Sequence, residues 1–515
     1  MTGSPPDDVD DAGDRDVPAE LGADAATRPL RFPGPPAEHL TSERLTQRLR
    51  DVCASVDTAD ATRVRAGRDW WPLSVVWAVE GTNPGLPIAV ARPADTAEVS
   101  EVLHVCHDAG VPVTPFAGRS GVCGGSIPVF GGVSLDLTGL AGITQVDDTS
   151  LLVSAKAGTF GDDFEAELRS AHGMTAGHWP QSIALSTVGG WAACRGAGQY
   201  STRYGKMEDI VAGLEVVLAN GTVIRTGGKA PRAATGPDLT QLFVGSEGTL
   251  GVITEVQMRV HPEPVSDLRA VYGFPTFGSG LEACRLVMRR GATPAVLRLY
   301  DAAEARRNFD VEGEAVLVVI DEGEPVLIDG VMKVVHEECD REGRELDTTI
   351  AARWLEHRNQ LPALDELVRA GIVVETVEIA GNWAVLPRIY RDATEALRAV
   401  EGTVTASAHQ SHAYTDGACL YFTFAGRPKP EGTGEAYYRS AFGAIIRATT
   451  GAGGAISHHH GVGLNRAAYM EDHLGGGFGV LTSVKSALDP KGILNPGKLG
   501  LPSPFGDIRK EWPEP

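Results

Sequence analysis

The sequence predicts an α+β fold in two main units, and three observations predict it. Between Ile88 and Val260, short apolar segments alternate with helix-like stretches in a small mixed α/β pattern. Between residues 266 and 450, longer apolar runs alternate with helices, which suggests an antiparallel sheet with helices on one face. The chain has 515 residues, too many for one hydrophobic core, so two domains with extensions are expected.

In chain order, residues 1–40 form an acidic tail. Asp7, Asp8, Asp10, Asp11, Asp14 and Asp16 stand among Gly, Pro and Ala, so disorder is expected to about Thr27. Residues 41–84 read as a helical extension, with a helix beginning over Leu45 to Val52 and a core patch at Trp70, Trp71 and Trp77. The first domain runs over 85–265. Ile88 to Val90 is a strand, and the helix opening at Pro93 puts Val99, Val102, Leu103 and Cys106 on one face before stopping at Gly110. Strands follow at Val111 to Val113, Ser134 to Leu137 and Leu151 to Ala155, then a helix over Asp162 to His172. Leu214 to Ile224 is a hairpin turning at Asn220-Gly221, and the strand 252–260 ends at the boundary His261-Pro-Glu-Pro264. The second domain, 266–450, places strands at Ala315 to Ile320, Thr403 to Ser407 and Cys419 to Phe424, and helices near Ala283 to Arg290 and Pro387 to Val400. Residues 451–503 pack back on the first domain, and 504–515 form a tail.

Asp and Glu number 67 against 46 Lys and Arg, a formal charge of -21, which argues against a nucleic-acid partner. Seven scattered cysteines without a CxxC fit a reducing compartment. No secretory segment opens the sequence and no apolar run reaches membrane-spanning length. A cytoplasmic protein is expected, with peripheral membrane contact left open.

Glycine density marks three stretches: Phe116 to Gly125, Ser186 to Gly190 and Gly236 to Glu255. Glycine costs chain entropy, so three such stretches suggest one large cofactor held by backbone. Both GxxxxGK[ST] and GxGxxG are absent. Outside these stretches, His458, His459 and His460 form a triplet. In extended chain, His458 and His460 face one way and His459 the other. Spacing identifies no further ligand for a metal, although His409 and His412 could join the triplet in space, and no metal is expected. Alternation over Asp416 to Phe424 puts Cys419, Tyr421 and Thr423 on one face. Tyr421 is then an acid/base candidate if cationic neighbours lower its pKa, or a structural tyrosine. Arg298 is a charge in an apolar run, belonging either to an edge strand or to an anion-binding cavity.

Pro115-Phe-Ala-Gly-Arg-Ser-Gly-Val122, Ser186-Thr-Val-Gly-Gly-Trp191, Ser201-Thr-Arg-Tyr-Gly-Lys-Met-Glu-Asp209 and Gly245-Ser-Glu-Gly-Thr-Leu-Gly-Val-Ile-Thr-Glu255 resemble the FAD-binding domain of the vanillyl-alcohol-oxidase superfamily. Asp416-Gly-Ala-Cys-Leu-Tyr-Phe422 and Ser457-His-His-His-Gly461 resemble the alkyl-dihydroxyacetone-phosphate synthases within it. The resemblance covers roughly 85–503. It implies a two-part PCMH-type FAD-binding domain, an antiparallel-sheet cap domain and a C-terminal segment returning to the FAD domain.

By that resemblance, Pro115, Phe116, Ala117, Gly118, Arg119, Ser120, Gly121 and Val122 would meet the FAD pyrophosphate. Pro180, Ser186, Thr187, Gly189, Gly190 and Gly196 would run along the flavin. Asp238, Glu247, Gly248, Thr249, Gly251, Val252 and Ile253 would form the adenosine side. The first loop lacks the histidine that links FAD covalently in some relatives, so non-covalent FAD is implied. The family usually has glycines where Ala117 and Arg119 stand. The implied reaction is a redox-neutral transfer in which a fatty alcohol replaces the acyl chain of an acyl-dihydroxyacetone phosphate through a flavin N5 adduct. Tyr421 would manage the proton at C1, the triplet, chiefly His459, would assist it and help bind phosphate, and Arg298 would lie near the substrate. A second family arginine is replaced by Leu364, with Arg358 and Arg369 nearby. The competing readings are an FAD-dependent oxidase or dehydrogenase of an alcohol, phenol or 2-hydroxy acid, and a non-catalytic flavoprotein. The substrate is expected to be small or lipid-like, and relatives of this kind are often homodimers.

Overall fold

The computed structural model describes residues 25–32, 42–360, 363–429 and 434–508. Most of the acidic tail and the end of the C-terminal tail therefore lie outside the described residues. Residues 42–79 contain the helices Ser42–Arg50, Asp60–Arg65 and Pro72–Val79. They also add an edge strand, β1 (Val56–Asp57), to the first sheet. With β2 (Ala89–Ala91), β3 (Val113–Phe116) and β4 (Val133–Asp136) it forms the order β1-β2-β4-β3, in which β2, β4 and β3 run parallel. The crossover from β2 to β3 is the helix Thr96–Ala109, begun where Asp95 accepts the N–H of Glu98 and ended at Gly110 with φ 64°. Its apolar face, including Val99, Val102, Leu103 and Cys106, is buried.

Next in the chain come β5 (Ile143–Asp147), β6 (Leu152–Lys156), β7 (Met174–Thr175), β8 (Val211–Val217), β9 (Val223–Gly227), β10 (Val252–Arg259) and β11 (His261–Pro262). Five of them pair antiparallel in the order β5-β6-β10-β8-β9, while β7 and β11 form a separate ribbon. The β8–β9 hairpin turns at Gly221, φ 86°, where the N–H of Leu218 donates to the carbonyl of Thr222.

The third sheet is built from β12 (Ser266–Phe274), β13 (Val296–Tyr300), β14 (Ala315–Gly323), β15 (Arg344–Glu345), β16 (Val373–Asn382), β17 (Thr403–Ala413) and β18 (Gly417–Gly426). Its order is β15-β12-β14-β13-β17-β18-β16, antiparallel throughout. The expected single helical layer is corrected here. Leu297, Leu299, Leu420, Phe422 and Phe424 face the helices Phe277–Arg289, Leu386–Ala399 and Gly434–Gly451 in the largest core. On the opposite face, Val296, Tyr300, Val316 and Val318 meet Ala302–Phe309 and Thr349–His357. These two helices cover only part of that face, and the remainder looks into a cavity. Because β13 lies mid-sheet, the edge-strand reading of Arg298 fails.

The C-terminal stretch returns to the first sheet. The N–H of Val113 donates to Ile493 and that of Asn495 donates back to Val113, both at 2.8 Å. Lys485, buried, donates to the carbonyls of Thr249 and Leu494.

Candidate active site

A cavity of about 800 Å³ lies between the glycine-rich loops and the open face of the third sheet. Its first half is a backbone cradle. Pro115, Phe116, Ala117, Gly118, Arg119, Ser120, Gly121 and Val122 line it, as do Pro180, Ser186, Thr187, Gly189, Gly190, Gly196, Glu247, Gly248, Gly251, Val252 and Ile253. The loops lock by glycine contacts that no side chain could replace. A Cβ on Gly118 would lie 1.9 Å from the carbonyl oxygen of Leu185, and one on Gly248 would lie 2.5 Å from Pro115. Arg119 adopts φ 56°, the left-handed region that favours glycine, which accounts for the glycine usual there. Among the described residues, no acceptor is seen for the N–H groups of Ser120, Gly121 and Val122, the makings of an anion nest. His178 is fully buried against Trp191, lines the cavity, and leaves both ring nitrogens without partners. A long cradle of bare backbone donors and unpartnered polar atoms fits FAD.

Two residues assigned to this cradle fall outside it. Asp238 caps the helix Leu239–Phe243 by accepting from the N–H groups of Thr240 and Gln241. Thr249 is buried and donates to the carbonyl of Ser246 within its own turn. Both have local structural work that resembles a motif in sequence.

The second half of the cavity carries the reactive side chains. Tyr421 projects from β18 and its hydroxyl lies 3.2 Å from His460 Nε2, while the Thr376 hydroxyl donates to it at 3.2 Å. The expectation that cations lower its pKa is corrected. Burial pushes the phenol up, Thr376 and Arg298 pull it down, and burial wins. Tyr421 is therefore a neutral phenol within hydrogen-bond reach of His460.

The alternation expected of the triplet is also overturned. Residues 457–461 wrap around the carboxylate of Glu378, a fully buried residue on β16. That carboxylate accepts from Ser457 Oγ at 2.9 Å and from the N–H groups of His458 (3.2 Å), His459 (3.2 Å) and His460 (2.6 Å). Arg466, also buried, closes the arrangement at 3.0 Å. His459 and His460 face the cavity, whereas His458 turns away to hydrogen-bond His459. His460, not His459, is the residue joined to Tyr421. Burial lowers the pKa of all three, His458 to about 4. Gly461 and Gly463 lie where a Cβ would strike Glu247 and the carbonyl of Cys123, so the loop packs closely against the cradle. Glu247 accepts the N–H groups of Val462 and Gly463 at 2.6 and 2.8 Å.

Arg298 enters from β13 with Nη2 2.6 Å from His409 Nε2. His409 Nδ1 lies 2.7 Å from Glu304, which also accepts from Ser407 and Thr423. Burial opposes the charge of Glu304, but His409, Arg307 and Thr423 hold it down at about 2. Burial and Arg298 lower His409 to about 4, so it is a neutral imidazole donating from Nδ1 and accepting at Nε2. The ring of His409 stacks on Tyr421 with centroids 4.9 Å apart. Glu304, Glu378, His178 and Arg466 carried no motif that sequence reading could use. His412 does reach the triplet: ligand atoms of His412, Cys419, His458 and His459 lie within 4.8 Å of one another, a donor set able to hold a soft divalent ion.

Residues 87–227 match the family described as FAD binding domain, and 264–499 match FAD linked oxidases, C-terminal domain. The chain is 31% identical over 436 residues to an uncharacterized FAD-linked oxidoreductase, YgcU, of Escherichia coli (strain K12), covering 80% of this chain and 89% of that one. It is 28% identical over 459 residues to alkyldihydroxyacetonephosphate synthase of Dictyostelium discoideum, covering 81% and 74%. It is 29% identical over 436 residues to glycolate oxidase subunit GlcD of Bacillus subtilis (strain 168), covering 80% and 89%. A solved alkyldihydroxyacetonephosphate synthase superposes with TM-score 0.76 at 23% identity, covering 93% of this chain and 89% of that one. A p-cresol methylhydroxylase superposes with TM-score 0.71 at 17% identity, covering 89% and 96%, and these likenesses establish the fold. Among the described residues, no helix is long and apolar enough to cross a membrane.

Proposed function

Because the chain belongs to the FAD-linked oxidase family and is an FAD-dependent enzyme, we propose that it uses this site for a redox-neutral transfer. In this reading a fatty alcohol replaces the acyl chain of an acyl-dihydroxyacetone phosphate. The single observation carrying this reading is the Tyr421–His460 hydrogen bond in a cavity that also holds Arg298 without a carboxylate partner among the described residues.

FAD, held by the cradle, supplies either covalent or redox chemistry at its ring. The protein's own part is proton handling and placement. The C1–O bond to the acyl group breaks and the fatty acid departs, and the alcohol oxygen bonds to C1. The alcohol's proton leaves with the departing carboxylate, and a separate proton, that on C1, is exchanged by Tyr421 with neutral His460 Nε2 as the acceptor behind it. His459 lies beside the pair, its ring 5.9 Å from Tyr421. Arg298 holds the anionic headgroup, aimed by His409 and Glu304.

The test is exchange of a labelled fatty alcohol into acyl-dihydroxyacetone phosphate by the yellow protein, without oxygen consumption. Tyr421→Phe keeps its flavin and loses exchange. Absence of exchange, together with flavin bleaching by an alcohol or 2-hydroxy acid in the absence of oxygen, sinks the proposal in favour of oxidation. That second reading is favoured by the His412, Cys419, His458 and His459 donor set, where a cation could polarise a substrate hydroxyl.

A further inference from the structure

On the side of the third sheet, the cavity holds two guanidinium groups that no carboxylate neutralises among the described residues. Five arginines line it: Arg119 on the cradle side, which donates to the carbonyl of Arg65, and Arg298, Arg307, Arg353 and Arg358 on the side of the third sheet. Arg307 pairs with Glu304 at 3.1 Å and Arg353 with Asp310 at 3.0 Å. No ion pair involves Arg298 or Arg358 among the described residues. Arg298 makes its hydrogen bond to neutral His409, and its Nε is buried with no partner. Among the described residues, the Arg358 guanidinium donates to the Gln199 side-chain oxygen, at 3.4 Å.

The same two side chains share a platform. Each guanidinium lies 5.9 Å from the ring centroid of Trp354, and Arg358 also lies 4.9 Å from Tyr200 and 5.2 Å from Trp179. Aromatic faces orient a guanidinium and tolerate its charge but do not cancel it. Leaving two partly buried cations unmatched in one cavity is costly, and it is the more notable in a chain of net charge -21. The charge they lack is that of a dianion. Leu364, which lines the same cavity and packs against Val75, offers no donor.

We propose that Arg358 is a second anion anchor, forming with Arg298 a two-guanidinium clamp around Trp354 that fixes a dianionic phosphate-monoester headgroup of the substrate. This rests on the transfer reading for the substrate's identity but not for the binding event. Arg298 is held in place by the Glu304–His409 pair, whereas Arg358 is held by its aromatic box. The two anchors are thus independently placed, which sets the headgroup's orientation as well as its position.

The experiment is calorimetric titration of the FAD-loaded protein with inorganic phosphate and, separately, with acetate. Phosphate is expected to bind the wild type and acetate at least tenfold more weakly. Arg358→Met, which keeps the stem over the rings, is expected to weaken phosphate binding roughly 10- to 100-fold, the scale of a lost charge-assisted hydrogen bond. Arg358→Lys, a charge without the fork, should fall between the two, and it remains informative should Arg358→Met lose flavin or melt early. In turnover, Arg358→Met raises KM with little change in kcat, the mark of lost uniform binding. Wild-type phosphate affinity in a folded, flavin-loaded Arg358→Met protein overturns the clamp and leaves Arg358 a plug for the aromatic box. Acetate binding as tightly as phosphate overturns the dianion assignment. Phosphate binding that depends on both arginines, with no alcohol exchange, supports the clamp while the transfer reading fails.

Discussion

Replacing Glu378 with glutamine tests how the site is held together. The wild-type carboxylate is fully buried and serves Ser457, three consecutive backbone N–H groups and Arg466, itself 1% exposed. Glu378→Gln keeps the shape and removes the charge. Arg466 then loses the one carboxylate within ion-pair distance among the described residues. Stranding a buried cation costs about 3–5 kcal/mol. The amide NH2 must also face a donor, which adds about 1–3 kcal/mol. A loss of about 4 kcal/mol or more is expected, and a slack loop should displace His460 from Tyr421. Displacement by about 1 Å is enough for a rate loss of roughly a hundredfold. The assay is thermal unfolding of the holoprotein, followed by circular dichroism and flavin release, together with exchange activity. A double-mutant cycle with Arg466→Met separates the two effects. The double variant should lose clearly less stability than the sum of the singles, because it strands no cation, and should regain no activity. Strict additivity, or unchanged melting and turnover in Glu378→Gln, would refute the reasoning.

Gly118→Ala should give a folded but colourless protein, because its Cβ would meet the Leu185 carbonyl and spread the two loops of the cradle; stoichiometric flavin absorbance would contradict this. Acidification should destabilise the protein below about pH 6.5, since buried neutral histidines gain protons only on unfolding. His409 and His458, both lowered to about 4, each cost about 2 kcal/mol at pH 5 relative to pH 7. Glu375, raised to about 8 chiefly by burial, opposes them over that window, so a melting temperature constant or rising from pH 7 to 5 would show that the imidazoles do not dominate. Chelation with EDTA should leave alcohol exchange intact while added Zn²⁺ inhibits, because the proposed transfer needs the triplet's imidazoles free; loss of exchange on chelation would favour the metal-assisted oxidation.

The cradle was legible because its signals are local. Gly118, Gly189 and Gly248 stand where backbone must meet backbone or ligand, and no other residue suits those positions. Strand alternation likewise placed Tyr421 on the cavity face. The triplet was misread because its shape is set from β16: Glu378 lies some eighty residues upstream and wraps the loop against its extended tendency. For Arg298 the cavity alternative agrees with its position, but sequence could not show its partner His409, which is 111 residues away and is itself fixed by Glu304. Asp238 and Thr249 do not line the cavity and serve a helix cap and a tight turn, features that look like ligand contacts when only the sequence is visible.

The loop 457–463 grips two carboxylates that belong to different sheets, Glu378 on β16 and Glu247 beside β10. Its role is that of a keystone set after the arch is standing. The loop follows both sheets in the chain, so each sheet can form before the residues that lock them together have been synthesised. Closure depends on contacts of very long sequence separation and comes late. Until then the part of the cradle against which Gly461 and Gly463 pack, at Glu247 and Cys123, is left uncovered by this loop. Variants that loosen this loop should therefore be rescued by FAD supplied during folding more than by FAD added afterwards.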